Sequence, residues 1–141
     1  MILVVGGTGK LGSRVVTVLR AGGRDVRCLV RPGTDESALA RQGADVVRGD
    51  LTEPASLPQA CKGISTVVAT ATVIARRLAG ARRPSIHQVD QLGMAALIDA
   101  AEEACVERFV RMRESTLDSA CRLSAPNWPP NSGCNGRSCA L

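Results

Sequence analysis

Short apolar runs alternate with stretches of helical periodicity along the first 110 residues. The runs are rich in Val, Ile and Leu, which is typical of parallel strands buried on both faces. Five segments share this character and are predicted as strands: Ile2–Val5, 25–30, 44–50, 65–72 and 107–110. Because each is followed by polar or glycine-containing sequence, the strands are expected to be short.

Helical periodicity fills the gaps between these strands. After the first strand, Leu11, Val15, Val18 and Leu19 recur at helical spacing until a glycine pair ends the pattern. Three further helices are predicted, over 35–43, 53–63 and 86–106. Strands that alternate with helices indicate an α/β protein with a parallel sheet, right-handed crossovers and helices on both faces.

A glycine-rich turn lies between the first strand and the first helix, with the pattern Gly6-x-x-Gly9-x-x-Gly12. At this position such a pattern is typical of dinucleotide-binding proteins. Gly6 permits the tight turn, Gly9 lets a pyrophosphate approach the backbone, and Gly12 lets the helix pack on the sheet. The helix amino terminus offers free N–H groups to phosphates, and Thr8 can add a hydroxyl donor. The alternative is a glycine-rich turn without a ligand.

This turn predicts a three-layer Rossmann fold with strand order 3-2-1-4-5. In that fold, the residue after the second strand faces the adenosine ribose, where an acid favours NAD and an Arg favours NADP. Arg31 occupies this place, and the first acid is Asp35. The sequence therefore favours NADP(H), with NAD(H) as the alternative. The explanation that involves no ligand is that Arg31 is an ordinary surface residue.

Two further strand ends carry candidate contacts. Asp50 follows the third strand, where it could accept from the adenine amino group or simply cap the next helix through residues 52–53. Ala69, Thr70 and the two residues that follow them, up to Thr72, come at the end of the fourth strand, where small side chains would line the middle of the cofactor. Both strand ends are expected at the same edge of the sheet as the glycine turn.

Composition narrows the function further. The net charge is +5, from 18 basic and 13 acidic residues, but the basic residues are scattered, so we expect no nucleic acid partner. The six cysteines fit no zinc spacing, so we expect no metal. No targeting leader is apparent and no apolar run approaches ~18–20 residues. We expect a cytoplasmic protein with reduced thiols and no membrane partner.

The segments "ILVVGGTGKLGSRVV", "VRCLVR", "GADVVRGDL", "GISTVVAT" and "VERFV" resemble the NmrA-like, atypical group of the short-chain dehydrogenase/reductase family. The resemblance covers about residues 1–110. It implies a Rossmann domain that prefers NADP(H), in a family that includes reductases, epimerase-like enzymes and redox sensors. It also implies these cofactor contacts: Gly6, Thr8, Gly9, Lys10, Leu11, Gly12, Arg31, Asp50 and Leu51.

The catalytic pair of the wider family is missing from this sequence. Catalytic members use a Tyr and a Lys four residues later, whereas this chain has no Tyr and no Lys after Lys62. His87 is not an obvious substitute and is interpreted as a surface or capping residue. We therefore expect the NADP(H)-binding domain of an oxidoreductase that is not catalytic as this chain stands. The alternative is a non-catalytic NADP(H) sensor or regulator that binds a protein partner.

The sequence changes character in the tail, residues 111–141. This segment holds the only Trp, three of the seven prolines and three of the six cysteines. Written with GC-rich codons and shifted back by one base, 127–136 reads LAAEQRLQR, an amphipathic helix. We hypothesise that the tail is read out of frame, which DNA sequencing across codons 105–141 tests. The alternative is a genuine tail that binds metal through Cys121, Cys134 and Cys139.

A domain that ends at 110 has a consequence for its surface. The fifth strand would have no partner beyond it, and one face of the sheet would lack its last helices. We therefore predict one of three outcomes: marginal stability, self-association through this uncovered sheet surface, or dependence on the cofactor for stability.

Overall fold

The computed structural model describes residues 1–72, 85 and 87–112. The hypotheses about the tail, except for its first two residues, lie outside these residues. Five strands form one sheet, with these bounds: β1 Ile2–Val5, β2 Val26–Val30, β3 Asp45–Arg48, β4 Thr66–Ala69 and β5 Arg108–Arg111. All five predicted strands are present, and four of them differ from the prediction by one to three residues at their ends.

The strand order is β3-β2-β1-β4-β5, and every neighbouring pair is parallel. This confirms the predicted Rossmann order. The central strand β1 pairs on both sides, so that Ile2 lies opposite Val26 in β2 and Thr66 in β4. Parallel strands place all their carboxyl ends at one edge of the sheet, and the glycine turn follows β1 at that edge.

In the part of the chain that the structure describes, four α-helices connect the strands: α1 Lys10–Ala21, α2 Ser37–Arg41, α3 Leu57–Cys61 and α4 Met94–Glu103. A 3₁₀ turn, Pro54–Ser56, leads into α3, and a π-helical segment, His87–Gly93, leads into α4. The first helix ends at the glycine pair as predicted, whereas the three later helices are shorter or less regular than predicted. Pro54 and Pro58 explain the third helix, because proline fits a first helical turn but not a helix interior.

Two apolar clusters cover the two faces of the sheet, which gives three layers. On one face, Val4 and Cys28 pack beneath α1 and α2 with Val16 and Leu39. The other face is larger and packs beneath α3 and α4. Its most deeply buried members come from the strands and from both helices: Leu3, Leu57, Ala60, Cys61, Val67, Leu97 and Ala101.

The buried face of α1 is displaced by one residue from the simplest reading of the sequence pattern. Gly12 and Val16 are buried, whereas Leu11 is 45% exposed and Val18 is 71% exposed. The reason lies in Gly12, which has no side chain and lets the helix lie directly against the turn after β1. Leu11 is thereby turned toward the carboxyl edge of the sheet.

Within the described residues, β5 is an edge strand that pairs only with β4. Val110 is 40% exposed and Met112 is 43% exposed. The prediction of self-association through this surface stays a prediction. No helix among the described residues is both long and apolar enough to cross a bilayer.

Candidate functional site

A pocket of about 400 Å³ lies at the carboxyl edge of the sheet, a size within the usual range for small-molecule sites. The residues that follow all five strands contribute to its wall. Ten of the eleven residues predicted from the sequence line it: Gly6, Thr8, Gly9, Lys10, Leu11, Gly12, Arg31, Asp50, Leu51 and Thr70. The structure therefore brings together residues that are as much as 64 positions apart in the chain.

The glycine turn is built by close backbone contacts. Gly6 has φ +94°, a left-handed conformation that favours glycine, and a Cβ there would lie 2.8 Å from the Ala71 nitrogen. A Cβ on Gly12 would lie 2.1 Å from the Gly6 carbonyl oxygen. The Thr70 hydroxyl donates to the Val5 carbonyl at 3.1 Å and sits beside both glycines. These contacts agree with the roles predicted for Gly6 and Gly12.

Gly9 occupies a different environment. It is the N-cap of α1, and its amide donates to the Gly6 carbonyl at 2.9 Å. The one atom that a Cβ on Gly9 would approach within 4 Å is the Gly6 oxygen, at 3.2 Å. Gly9 is exposed and lines the pocket. A ligand atom can therefore approach the backbone here, which is the role predicted for Gly9.

The amino terminus of α1 points free donors into the pocket. The first intrahelical acceptor is the Gly9 carbonyl, which Ser13 uses, so the amides of Lys10, Leu11 and Gly12 precede the hydrogen-bonded ladder. No side chain caps this end, and the first turn contains no acidic residue. Together with the partial positive charge of the helix terminus, this arrangement suits a phosphate group.

Arg31 follows β2 directly and is one of the residues that line the pocket. None of the described residues accepts a hydrogen bond from it. Asp35, the nearest acid along the chain, is engaged elsewhere: its carboxylate accepts from the Ser37 amide at 2.9 Å and from the Ser37 hydroxyl at 2.6 Å. These bonds lower the pKa of Asp35. Asp35 is not among the residues of the pocket wall.

Asp50 combines the two possibilities that the sequence leaves open. One carboxylate oxygen accepts from the amide and from the hydroxyl of Thr52, both at 2.9 Å, which fixes the turn after β3. The residue also lines the pocket. The neighbouring Leu51 packs closely against Gly93, the last residue of the π-helical segment. A Cβ on Gly93 would lie only 2.6 Å from the Leu51 carbonyl oxygen.

Ala69 is the predicted site residue that the structure does not bring to the pocket. Its side chain is 1% exposed and packs in the core beneath α3 and α4. Side chains of a strand alternate between faces, and this one points inward below the rim. The other three residues of the predicted segment, Thr70, Ala71 and Thr72, line the pocket.

Five residues of the pocket wall were not predicted from the sequence: Val5, Leu29, Gly49, Val89 and Met112. Met112 follows β5 immediately, so the rule that ligands bind at carboxyl strand ends could have indicated it. Val89 lies on the π-helical segment, for which the sequence pattern gives no indication.

The described cysteines and His87 lie outside the pocket wall. Burial raises the pKa of the Cys61 thiol, and burial together with the Asp45 carboxylate raises that of Cys28 to about 11. Both thiols are therefore protonated near neutral pH. The ring of His87 is exposed and contacts the side chain of Gln91, one helical turn away.

Comparison with known proteins agrees with this geometry. A family model described as NAD(P)H-binding matches residues 6–132. The photosystem II assembly factor Ycf39 of Trieres chinensis is 40% identical over 113 residues, which is 77% of this chain and 33% of that protein. The NAD(P)H azoreductase of Xenophilus azovorans is 38% identical over 111 residues, covering 78% of this chain and 34% of that enzyme. The chain thus spans about a third of the length of these curated relatives.

Solved structures are similar over the same share of the chain. A short-chain dehydrogenase/reductase superfamily protein from Agrobacterium tumefaciens with bound NAD is 34% identical, with a TM-score of 0.60, covering 79% of this chain and 31% of that one. The protein AtPrR2, with NADP⁺ and (+)pinoresinol, is 32% identical, with a TM-score of 0.59, covering 77% and 34%. The similarity extends to complexes with either dinucleotide, so it does not choose between NAD and NADP.

The glycine turn, the uncapped helix terminus and these similarities agree on a nicotinamide dinucleotide as the ligand class. The NmrA-like assignment within the short-chain dehydrogenase/reductase superfamily stays a prediction. On the match of the family model, the chain belongs to the NAD(P)H-binding family.

Proposed function

We propose that this chain binds NADP(H) in preference to NAD(H), with the pyrophosphate at the amino terminus of α1. The observation that carries the preference is the contrast between two side chains after β2. Arg31 lines the pocket without a partner among the described residues, while the Asp35 carboxylate is bound to Ser37. A cation at this place favours a 2′-phosphate, whereas an available acid would favour a 2′-hydroxyl.

The remaining contacts follow from the shape of the wall. The amides of α1 and the Thr8 hydroxyl donate to the pyrophosphate, and the Lys10 ammonium adds a positive charge close by. Asp50 uses one oxygen for Thr52 and keeps the other for the adenine amino group. Thr70 stays bonded to the Val5 carbonyl, so its part is to hold the glycine turn in shape.

This domain would serve an oxidoreductase that moves a hydride between the nicotinamide and a carbonyl or related group. The chain has no Tyr, so the Tyr–Lys proton donor of catalytic relatives is absent from it. It therefore supplies the cofactor-binding part and no general acid. The relative that is named as an NAD(P)H azoreductase supports the oxidoreductase assignment.

The second candidate is a sensor or regulator that binds NADP(H) without turnover and contacts a protein partner. The missing Tyr favours it, as does the relative that is named as a photosystem II assembly factor. An NADPH oxidation assay over a panel of carbonyl and azo compounds tests the second candidate. Turnover by this chain would exclude a sensor that binds without turnover, and it would show that a group other than the Tyr–Lys pair donates the proton. Binding without turnover is expected of both candidates, and a protein partner that binds the chain only with NADP(H) would then favour the sensor.

Cofactor binding is tested by thermal melting of the 141-residue chain with NADPH and with NADH. A ligand that binds only the folded state at a hundred times its Kd stabilises that state by about 2.7 kcal/mol, so NADPH should raise Tm clearly. The variant Arg31→Gln should remove the difference between NADPH and NADH. Arg24→Gln is the matched control, since Arg24 is an exposed Arg outside the pocket wall.

The outcomes separate the two parts of the proposal. The absence of any shift with either dinucleotide at saturation would refute cofactor binding by this chain. An equal NADPH preference in the parent and in Arg31→Gln would refute the role of Arg31 and leave binding intact.

A further inference from the structure

The loop that carries Arg31 begins with a tight turn. The Thr34 amide donates to the Arg31 carbonyl at 3.1 Å, and Gly33 has φ +75°. With Pro32 before that glycine, the sequence and the conformation fit a type II turn. The Arg31 guanidinium lacks a partner among the described residues, so its position depends on where this turn holds the backbone.

Arg48 binds this turn from the neighbouring strand. It is the last residue of β3 and lies opposite Val30, the residue before Arg31. Its Nη1 donates to the carbonyls of Arg31 and Thr34, both at 3.0 Å, which are the first and last residues of the turn. Its Nη2 forms an ion pair with Glu36, the N-cap residue of α2.

The ion pair contributes little to global stability. The Arg48 and Glu36 side chains are 46% and 37% exposed, and exposed pairs of this kind are weak. The three contacts are nevertheless concentrated on one short loop, and they span it from the turn to the start of α2. Their main effect is therefore local: they hold the backbone of Arg31 in a fixed position at the carboxyl edge of the sheet.

We propose that Arg48, aligned by Glu36, is a positioning residue for cofactor specificity that acts through Arg31 without touching the cofactor. This inference rests on the proposed NADP(H) preference. Glu36 has two effects in this arrangement. It orients the guanidinium toward the turn carbonyls, and it offsets a positive charge that would otherwise attract the 2′-phosphate to Arg48 itself.

The test measures Kd for NADPH and for NADH by fluorescence titration of the full chain, and compares the ratio of the two between variants. Arg48→Gln removes the guanidinium that binds the two turn carbonyls, and it should lower the preference for NADPH roughly tenfold. Arg31→Gln should lower it by tenfold or more. Arg48→Lys keeps the positive charge, but an ammonium cannot reproduce the planar guanidinium that binds the turn carbonyls and Glu36 together. This variant should therefore lose most of the preference for NADPH as well. NADH affinity should stay close to that of the parent.

Two further variants separate positioning from direct contact. In the Arg31→Gln background, adding Arg48→Gln should change the ratio no further, because the residue through which it acts is gone. Glu36→Gln should weaken the preference for NADPH. A direct contact between Arg48 and the phosphate predicts the opposite in both cases: additive losses, and tighter NADPH binding when Glu36 is neutralised.

Arg27→Gln is the matched control. Arg27 lies in β2 and also binds β3, because it donates to Asp45 at 2.8 Å, and it donates to the Lys62 carbonyl at 2.8 Å. Unlike Arg48, it makes no hydrogen bond to the turn that carries Arg31. Its loss should leave the NADPH:NADH ratio unchanged even if it lowers Tm. A similar change of ratio in Arg27→Gln would mean that any loosening of β3 has this effect, and would overturn the specific role of Arg48.

The result also distinguishes this inference from the proposed function. If the parent prefers NADPH and Arg31→Gln abolishes that preference, the proposed function stands. An unchanged ratio in both Arg48 variants would then overturn the positioning role alone. If Arg31→Gln leaves the preference intact, the proposed function has failed first.

Discussion

Replacement of Gly12 by alanine tests the packing on which the pocket depends. A Cβ at this position would lie 2.1 Å from the Gly6 oxygen, 2.7 Å from the Gly6 carbonyl carbon and 2.8 Å from the Thr70 hydroxyl. Two of these atoms belong to the backbone and cannot rotate away. The first turn of α1 or the turn after β1 must therefore move by more than about 1 Å to reach ordinary contact distances near 3.5 Å.

The magnitude follows from two opposing terms. Overpacking a tight site costs about 1–3 kcal/mol, and contacts this short with backbone belong at or above the upper end. Alanine is favoured over glycine in a helix by about 1 kcal/mol, which offsets part of the cost. The net expectation is a loss of about 2 kcal/mol. For a chain whose length lies between the 60–100 and 150–250 residue classes, a shift of about 4 °C per kcal/mol applies, so Tm should fall by roughly 8 °C.

The assay is thermal melting followed by circular dichroism, with Gly22→Ala as the control. Gly22 ends the same helix, and a Cβ there would meet only the Leu19 and Val18 oxygens, at 3.4 and 3.5 Å. That substitution should leave Tm close to the parent value. The stabilisation by NADPH should also shrink in Gly12→Ala, because the displaced turn carries the phosphate-binding amides.

A Gly12→Ala variant that melts with the parent would refute this reasoning. It would mean that α1 can pivot away from the β1 turn without loss. The close approach of the helix to the Gly6 carbonyl would then not be needed for stability.

Two further predictions concern the core. Leu97 is fully buried on α4, so Leu97→Ala should lower the free energy of unfolding by about 2–5 kcal/mol in urea titrations. Leu92→Ala, at a side chain that is 57% exposed, should change it by no more than about 0.5 kcal/mol, and equal losses would contradict the packing described for α4. The pKa of Cys28 is raised from 9.0 to about 11, first by burial and then by Asp45, so its contribution to stability is fully present below pH 9 and is lost as the pH rises toward 11. The free energy of unfolding should therefore fall between those pH values and fall less in Cys28→Ala; a parallel decline in both proteins would assign the loss to other groups.

The fold could be predicted from sequence because its patterns are local and repeated. Each strand contains a short run of apolar residues, and the glycine spacing fixes where β1 meets α1. The exact face of α1 could not be read in this way. The hydrophobic pattern gives no weight to Gly12, although its missing side chain determines which side of the helix approaches the sheet.

The residues of the candidate site could also be predicted only in part from the sequence. Gly6, Arg31 and Thr70 directly follow a strand and were predicted, since their place at the sheet edge depends only on topology. Gly49 and Met112 follow β3 and β5 in the same way and were missed.

Ala69 was predicted to line the pocket, but its side chain lies in the core. Predicting this would have required both the exact last residue of β4 and the face of the sheet to which that residue points. The Arg48 contacts were not predicted, because a side chain that binds the carbonyls of a neighbouring loop leaves no periodic trace in the sequence.

The position of β1 in the middle of the sheet has a consequence for the time course of folding. Its first partner, β2, begins at Val26, but its second partner, β4, begins at Thr66. At about 5–20 residues per second, synthesis of the intervening segment takes roughly 2–8 s. During that interval one side of an apolar strand has no hydrogen-bonding partner, and the turn that holds the phosphate-binding amides lacks the support of Thr70. Long-range parallel pairing of this kind is slow, so the pocket should be among the last parts of the molecule to form.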